Sequence, residues 1–403
     1  MTLTDHLPHR SVRRQDTTPG ALVVGGDYQG LGIARSLGRR DVPVVVLDDE
    51  LSIAKASRYV RRSVHVPSLR GSEETVAALL DVGRRLGLEG WVLFPTREET
   101  VAAVSQHRDE LASVYRVPTP SWETVRVAWD KRETYRVAEA IGVPVPRCWF
   151  PTTETALGVV PLDRPVVLKP AVKEHFFYAT GAKAWRADTR SQLVDAYRRA
   201  TEIVPPEEVI VQEMIPGDGT TQSAYCALFK DGEALASMTA LRRRQHPSDF
   251  GRASTFVETV DLPAIEEPSR RFLREIDYYG LVELEFKQDP RDGRHKLLDV
   301  NARTWGYHTL GAAAGVDFPA LLHADQLGQP VPPSRARPGV RWVRLATDVP
   351  NAVRDVRAGT LRAGDYLASL RGVDTDAVWA KDDPLPMLME LGILPYLAVR
   401  RGL

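Results

Sequence analysis

Two neighbouring stretches alternate polar and apolar residues so regularly that they restrict their own geometry. In LVELEFKQ, Glu283, Glu285 and Lys287 fall on one parity, and Val282, Leu284 and Phe286 on the other. In LLDVNARTWG, Asp299, Asn301 and Arg303 are spaced by two. Side chains of a strand alternate between faces, so each polar set shares one face. The linking DPRDGR is turn chemistry and predicts an antiparallel hairpin. Asp292 lies seven residues from Glu285 and seven from Asp299. A turn centred there sets these two carboxylates opposite each other, ~5 Å apart at Cβ.

Carboxylates that close repel unless a cation lies between them. Asn301 adds a neutral oxygen. Glu285, Asp299 and Asn301 are therefore candidate metal ligands, a hard all-oxygen set that suits Mg²⁺ or Mn²⁺. Such a cation keeps waters and takes its remaining ligands from substrate phosphates. Arg303, two residues on, is placed to grip a phosphate or carboxylate through two parallel hydrogen bonds. A solvated sheet face is the plainer reading of a single strand acid. It does not account for two acids, an amide and an arginine in register.

The 403 residues suffice for two or three cores. Lys+Arg and Asp+Glu both number 53, so no net field draws the chain to nucleic acid or an anionic membrane. Cys148 and Cys226 are the only cysteines, which argues against a disulfide framework and fits a reducing cytoplasm. No apolar run approaches the ~20 residues that span a bilayer. Residues 1–20 read as a disordered tail without a secretion signal.

From Ala21 the sequence reads strand, glycine turn, helix, strand, with further strands at SVHVPS and WVLFPT. This predicts a parallel α/β domain over 21–125. SWETVRVAWDKRETYRVAEAIG reads as a helix that ends at Gly-Val-Pro. An α+β domain is expected over 126–330, with a central lobe at about 150–207. Asp231-Gly232 marks a hairpin in its strand-rich part. A linker and C-terminal segment follow over 331–403, with amphipathic stretches that should pack on the core or on a second copy.

A metal held by few carboxylates usually serves a nucleotide. Lys169 ends the apolar strand PVVLKP, and Lys131 starts the helix after Trp129-Asp130. Each alone reads as surface charge. In VIVQEMIPG the break at Pro216-Gly217 frees the backbone after Gln212 from pairing. The Glu213 carbonyl and Ile215 amide then suit an adenine edge, with Met214 between them and Asp218 near the ribose.

In order, WDKRETYRVAEAIGVPVP, PVVLKPA, VIVQEMIPG, VELEFK and LLDVNAR resemble the ATP-grasp superfamily over roughly Trp129 to Pro330. The glycine-rich start, VVGGDYQGLGIARSLG, resembles the domain that precedes ATP-grasp in carboxylate–amine ligases, the group that includes D-aspartate ligase and relatives of biotin carboxylase. The resemblance implies two α+β lobes that clamp ATP. Lys131 and Lys169 match its phosphate lysines, and residues 213–215 its adenine hinge. Glu285, Asp299 and Asn301 match its metal ligands, and Arg303 the arginine on the transferred phosphate or acyl substrate. Many members have a glycine-rich lid; here AVKEHFFYATGAKAWRA has one glycine, Gly181, with Lys183 and His175 as alternative phosphate contacts.

Gly25, Gly26, Gly30 and Gly32 follow a strand, with Asp48 closing the next. The spacing is not the dinucleotide fingerprint. The resemblance implies instead that Gly30 faces the cleft and helps to bind the carboxylate substrate. In ALRRRQHPSDFG, Arg242 and Arg244 alternate onto one face ahead of Gly251 and are expected to recognise anionic substrate groups. The function expected is an ATP-dependent ligase that joins a small-molecule carboxylate to an amine through an acyl phosphate, with a homodimer as the expected assembly. The alternatives are a non-catalytic ATP-binding regulator and an NAD-linked enzyme.

Overall fold

The computed structural model describes residues 18–217, 219–246 and 253–401. Asp218, Gly251 and all but the end of the expected tail lie outside the described residues.

The first sheet is built from runs too apolar to leave a face in water. Strands β1 (Ala21–Val24), β2 (Val44–Asp48) and β4 (Val92–Pro95) are buried at every residue, and β3 (Val60–His65) forms the more exposed edge. Their order is β3-β2-β1-β4, all parallel, as expected for strands covered on both faces. Helices α1 (Tyr28–Gly38), α2 (Ser72–Leu86), α3 (Glu98–Gln106) and α4 (Arg108–Leu111) complete this domain. Asp27 caps α1 by accepting from the Gln29 amide. Asp48 accepts from the Gly26 amide at 2.6 Å and from Arg97 at 2.6 Å. Its carboxylate is thus committed to closing the turn, which removes the acid that an NAD-linked reading needs.

The single helix expected over the Trp-Asp-Lys stretch is two. Helix α5 (Trp122–Trp129) stops at Asp130, which caps α6 (Lys131–Ala140) by accepting from the Arg132 amide. The expected boundary at 125/126 falls inside α5. The central lobe is an antiparallel sheet, β5-β8-β6-β7, of β5 (Cys148–Trp149), β6 (Val166–Pro170), β7 (Trp185–Ala187) and β8 (Val209–Glu213). It carries α7 (Lys173–Thr180) and α8 (Arg190–Thr201). Pairing does not cease after Gln212: the Glu213 amide donates to Arg147 and the Met214 amide to Pro165, because the segments before β5 and β6 supply carbonyls there.

The large sheet runs β13 (His295–Asn301), β12 (Gly280–Gln288), β9 (Gln222–Lys230), β10 (Glu233–His246), β11 (Ala253–Val260), β15 (Arg341–Val343) and β16 (Thr375–Asp376), with β14 (Ser334–Arg335) beside β10. Its first strands, β9 and β10, turn at Asp231 and Gly232, both at positive φ, as a tight hairpin requires. Strand β11, helix α9 (Pro263–Glu275) and the hairpin of β12 and β13 follow. Helices α10 (Thr309–Ala313) and α11 (Phe318–Gln326) return towards the first domain. One apolar core joins the large sheet to α1 and β1; another joins it to α5, α6 and α9.

The C-terminal segment is woven into this sheet. It adds β14, β15 and β16, with helices α12 (Leu345–Arg357), α13 (Ala363–Leu370) and α14 (Leu385–Arg401). No described helix is long and apolar enough to cross a membrane. Asp348 of α12 is fully buried and accepts from Arg244 at 2.7 and 2.8 Å and from Thr255 at 2.7 Å. Removing one partner leaves a buried charge without its counter-charge, so Asp348→Asn is expected to destabilise the protein by about 3–5 kcal/mol in urea unfolding. A loss below about 1 kcal/mol would contradict this bracing.

Candidate functional site

The hairpin register places Glu285 opposite Asp299 and Glu283 opposite Asn301. A bulge follows, since Phe286 pairs with Leu297, which leaves Leu298 extra. The Leu298 carbonyl accepts from the Tyr135 hydroxyl at 2.8 Å, which ties the hairpin to α6. The break at Asp130 has its use here: Lys131, first residue of α6, reaches Asp299 at 2.7 Å.

Two chambers meet on this face. The first, about 190 Å³, is lined by Lys131, Lys169, the 212–215 segment, Lys287 and Leu298. The second, about 260 Å³, is lined by Tyr28, Gln29, Phe177, Glu283, Asn301, Arg303 and Tyr307. Lys173, Lys183, Arg242, Glu285 and Asp299 line both. The partition between the chambers therefore consists of three cations and two carboxylates.

Burial and charge work against each other along it. Burial raises the Asp299 carboxyl, but Lys131, then Lys183 and Lys169, hold it well below the usual range. Burial likewise opposes Glu285, which Arg242 and Lys183 bring down; Arg242 stands 3.0 Å away. Burial pushes the ammonium groups of Lys169 and Lys183 down to about 8. Lys169 donates to the Tyr135 hydroxyl at 2.6 Å. For Glu283, burial and the neighbouring Glu285 outweigh the Tyr307 hydroxyl, Arg242 and Arg303 and push it up to about 7.

Arg303 enters the second chamber with its guanidinium already aimed. Glu98 accepts from Nε at 2.8 Å and Nη2 at 2.7 Å. The Thr304 carbonyl accepts from Nη1 at 3.1 Å and Asn301 Oδ1 from Nη2 at 3.2 Å. Asn301 donates its own Nδ2 to Glu283 at 3.0 Å and Glu285 at 3.2 Å.

Several expected residues sit elsewhere. Arg244 lines neither chamber; bulges either side of it turn it to Asp348 and onto the rings of Phe256 and Tyr366. Arg242 alone of the pair enters the cavity. Gly30 is buried under the Gly25 carbonyl, where a Cβ would lie 2.1 Å from that oxygen. The residues of that turn that line the chamber are Tyr28 and Gln29. His175 pairs with Glu208 at 2.8 Å and lines neither chamber. Glu213 lines the first chamber, but its carboxylate is held by Lys296 and Arg291.

Several residues of the site, Tyr28, Gln29 and Phe177 among them, were not expected from the sequence. Glu283 shares the parity of Glu285 and could have been assigned on that ground. Lys173 lies inside the lid stretch and Tyr307 four residues after Arg303, without a pattern to single them out. Glu98 comes from the first domain, and no local signal links it to a residue 205 positions away.

No family model matches the chain. It is 23% identical over 309 residues to a D-aspartate ligase of Enterococcus faecium, across 73% of this chain and 72% of the relative. In fold it is similar to an L-amino acid ligase from Bacillus licheniformis, with a TM-score of 0.59, 16% identity, and 77% and 74% of the two chains covered. It is also similar to the biotin carboxylase domain of a Hydrogenobacter thermophilus 2-oxoglutarate carboxylase, a dimer in complex with magnesium-ADP and bicarbonate. There the TM-score is 0.62 at 15% identity, with 80% and 73% covered. With a lysine-lined chamber under a small antiparallel lobe and a polar hairpin as its floor, the chain has an ATP-grasp fold and is similar to carboxylate–amine ligases.

Proposed function

We propose that the chain is an ATP-dependent ligase that activates a small-molecule carboxylate as an acyl phosphate, releases ADP, and joins the acyl group to an amine. The observation that carries this reading is the shared partition. A phosphoryl donor in the first chamber and a carboxylate in the second would meet across Lys173, Lys183, Arg242, Glu285 and Asp299.

The first chamber supports ATP. Its base would lie against Val167, Leu298 and the 212–215 segment, and its phosphates by Lys131, Lys169 and Lys183. The donor set also fits Mg²⁺, and Mn²⁺ equally: two carboxylates in register and one amide, all oxygen ligands. No group of three or more His, Cys, Asp or Glu suited to a metal occurs among the described residues, so Asn301 is needed with Glu285 and Asp299. Asn301 points Nδ2 at the carboxylates and would turn its amide to offer oxygen. When bound, the cation would screen charge on the phosphate oxygens.

The chain's own residues then do the rest by position and charge. Arg242 and Arg303 would hold the substrate carboxylate in line with the terminal phosphate. Lys169 and Arg303 would stabilise charge on the phosphoryl group as it moves. Gln29, Tyr28 and Phe177 would exclude water from the acyl phosphate until the amine arrives. No protein nucleophile is required.

The proposed division is 21–125, 126–330 and 331–403, in a cytoplasmic protein with small-molecule partners. Homodimer formation is supported by Leu385, Leu388 and Leu391, exposed at intervals of three on α14. A non-catalytic regulator explains ATP binding but not Arg303, which simple binding does not demand.

Titration gives one test. Phosphate next to Lys169 should raise its lowered value, so nucleotide binding is expected to take up protons near pH 8 and to weaken as pH rises beyond it. Calorimetry in buffers of different ionisation enthalpy reads this directly. Lys169→Arg should reduce the uptake, and no proton exchange near pH 8 would place the phosphates elsewhere.

The decisive test is a screen of amino acids in pairs, reading ADP and product mass, on wild type and Arg303→Ala. Loss of a transition-state donor costs about 10²–10³ in rate. Arg303→Ala should therefore bind ATP within a few-fold of wild type yet lose most turnover, and Arg303→Lys should recover little. Normal turnover in Arg303→Ala would show that the acyl site is misplaced.

A further inference from the structure

The second chamber has a wall supplied by the first domain. Tyr28 opens α1 and lines the chamber. Its hydroxyl lies over Gly306, where a Cβ would come within 2.6 Å of it. Gln29 Nε2 donates to the Thr304 carbonyl at 3.3 Å, the same oxygen that accepts from Arg303. Tyr28, Gln29 and the 303–306 loop are thus one surface.

Behind the Tyr28 ring stands a residue of the C-terminal segment. Arg344 Cζ lies 4.1 Å from the ring centroid. Arg344 is only 5% exposed. Its Nη2 donates to the buried Glu390 of α14 at 3.2 Å, and its Nε has no hydrogen-bond partner among the described residues. A buried guanidinium with an unmet N–H is costly, and an extension that only covers surface has no need of one. The Glu390 carboxylate answers its charge, and the flat face of Tyr28 adds to that compensation; a desolvated cation–ring contact is the stronger kind. The same segment grips α1 again through Asp383, which accepts from Arg35 Nε at 2.9 Å with both groups buried.

We propose that Arg344 is a positioning residue: it fixes the Tyr28 ring as a wall of the second chamber, so the C-terminal segment helps to set recognition of the carboxylate substrate. This rests on the ligase reading for its substrate, not for its geometry.

The test uses the full chain. Arg344→Met keeps much of the length and removes the charge. It is expected to raise the KM for the acid substrate about tenfold, with the KM for ATP unchanged. Tyr28→Ala should raise it comparably, and the double variant should be no worse than Tyr28→Ala alone. Additive effects would overturn the coupling. Arg344→Lys should fall between wild type and Arg344→Met, and it serves as the test variant if Arg344→Met does not fold. Hydrogen exchange supplies a readout independent of turnover: segments 26–31 and 304–308 should exchange faster in the variant than in wild type. Unchanged exchange there would overturn the proposal whether or not any substrate is found. Turnover by wild type with an unchanged KM in Arg344→Met would defeat this inference alone, whereas no turnover by wild type with any pair would count against the ligase reading.

Discussion

The opposition of Glu285 and Asp299 across one rung of a hairpin is the constraint that organises this molecule. Two half-buried carboxylates in register cannot stand alone, because neither desolvation nor mutual repulsion is offset by the strands that carry them. Each is answered from a different element. Lys131 arrives from the start of α6, Arg242 from the middle of the large sheet, and Lys183 from the central lobe. Three parts of the fold thus converge on one pair of acids. Two of these cations, Lys131 and Lys183, are also among those proposed to meet phosphate.

That convergence explains the division into two chambers. The acids and their cations form the partition, so anything that crosses it passes a concentration of fixed charge in a low-dielectric setting. The first domain takes part as well. Glu98 aims Arg303, and Tyr28 and Gln29 close the second chamber. The C-terminal segment reaches β10 and β11 through Asp348, and the Tyr28 wall of that chamber through Arg344. The parts that differ most in sequence position are therefore coupled at the site.

The legible features were those with a local physical cause. Strict alternation announces the hairpin, but the Glu285–Asp299 register that symmetric spacing about Asp292 expects is reached only because the extra Leu298 lies between that pair and the turn-side pairs, Phe286–Leu297 to Gln288–His295. The continuous apolar runs mark the parallel sheet, and Asp231-Gly232 marks the β9–β10 hairpin of the large sheet. Alternation failed for Arg244 because bulges in β10 break the parity on which it relied. Gly30 was misassigned because a glycine needed for close packing reads, in sequence, like one needed for ligand approach. The break at Asp130 was hidden by good helix formers on both sides. Glu98 and Arg344 were not legible, since their roles depend on partners more than two hundred residues away.

In the proposed reaction, oxygen passes from a substrate carboxylate to phosphate. A substrate with heavy oxygen in its carboxylate, turned over with ATP and an amine, tests it most directly. Attack by the carboxylate on the terminal phosphate predicts one labelled oxygen in each phosphate released, with the other retained in the amide. Unlabelled phosphate alongside amide formation would contradict the acyl-phosphate route and with it the role given to the partition.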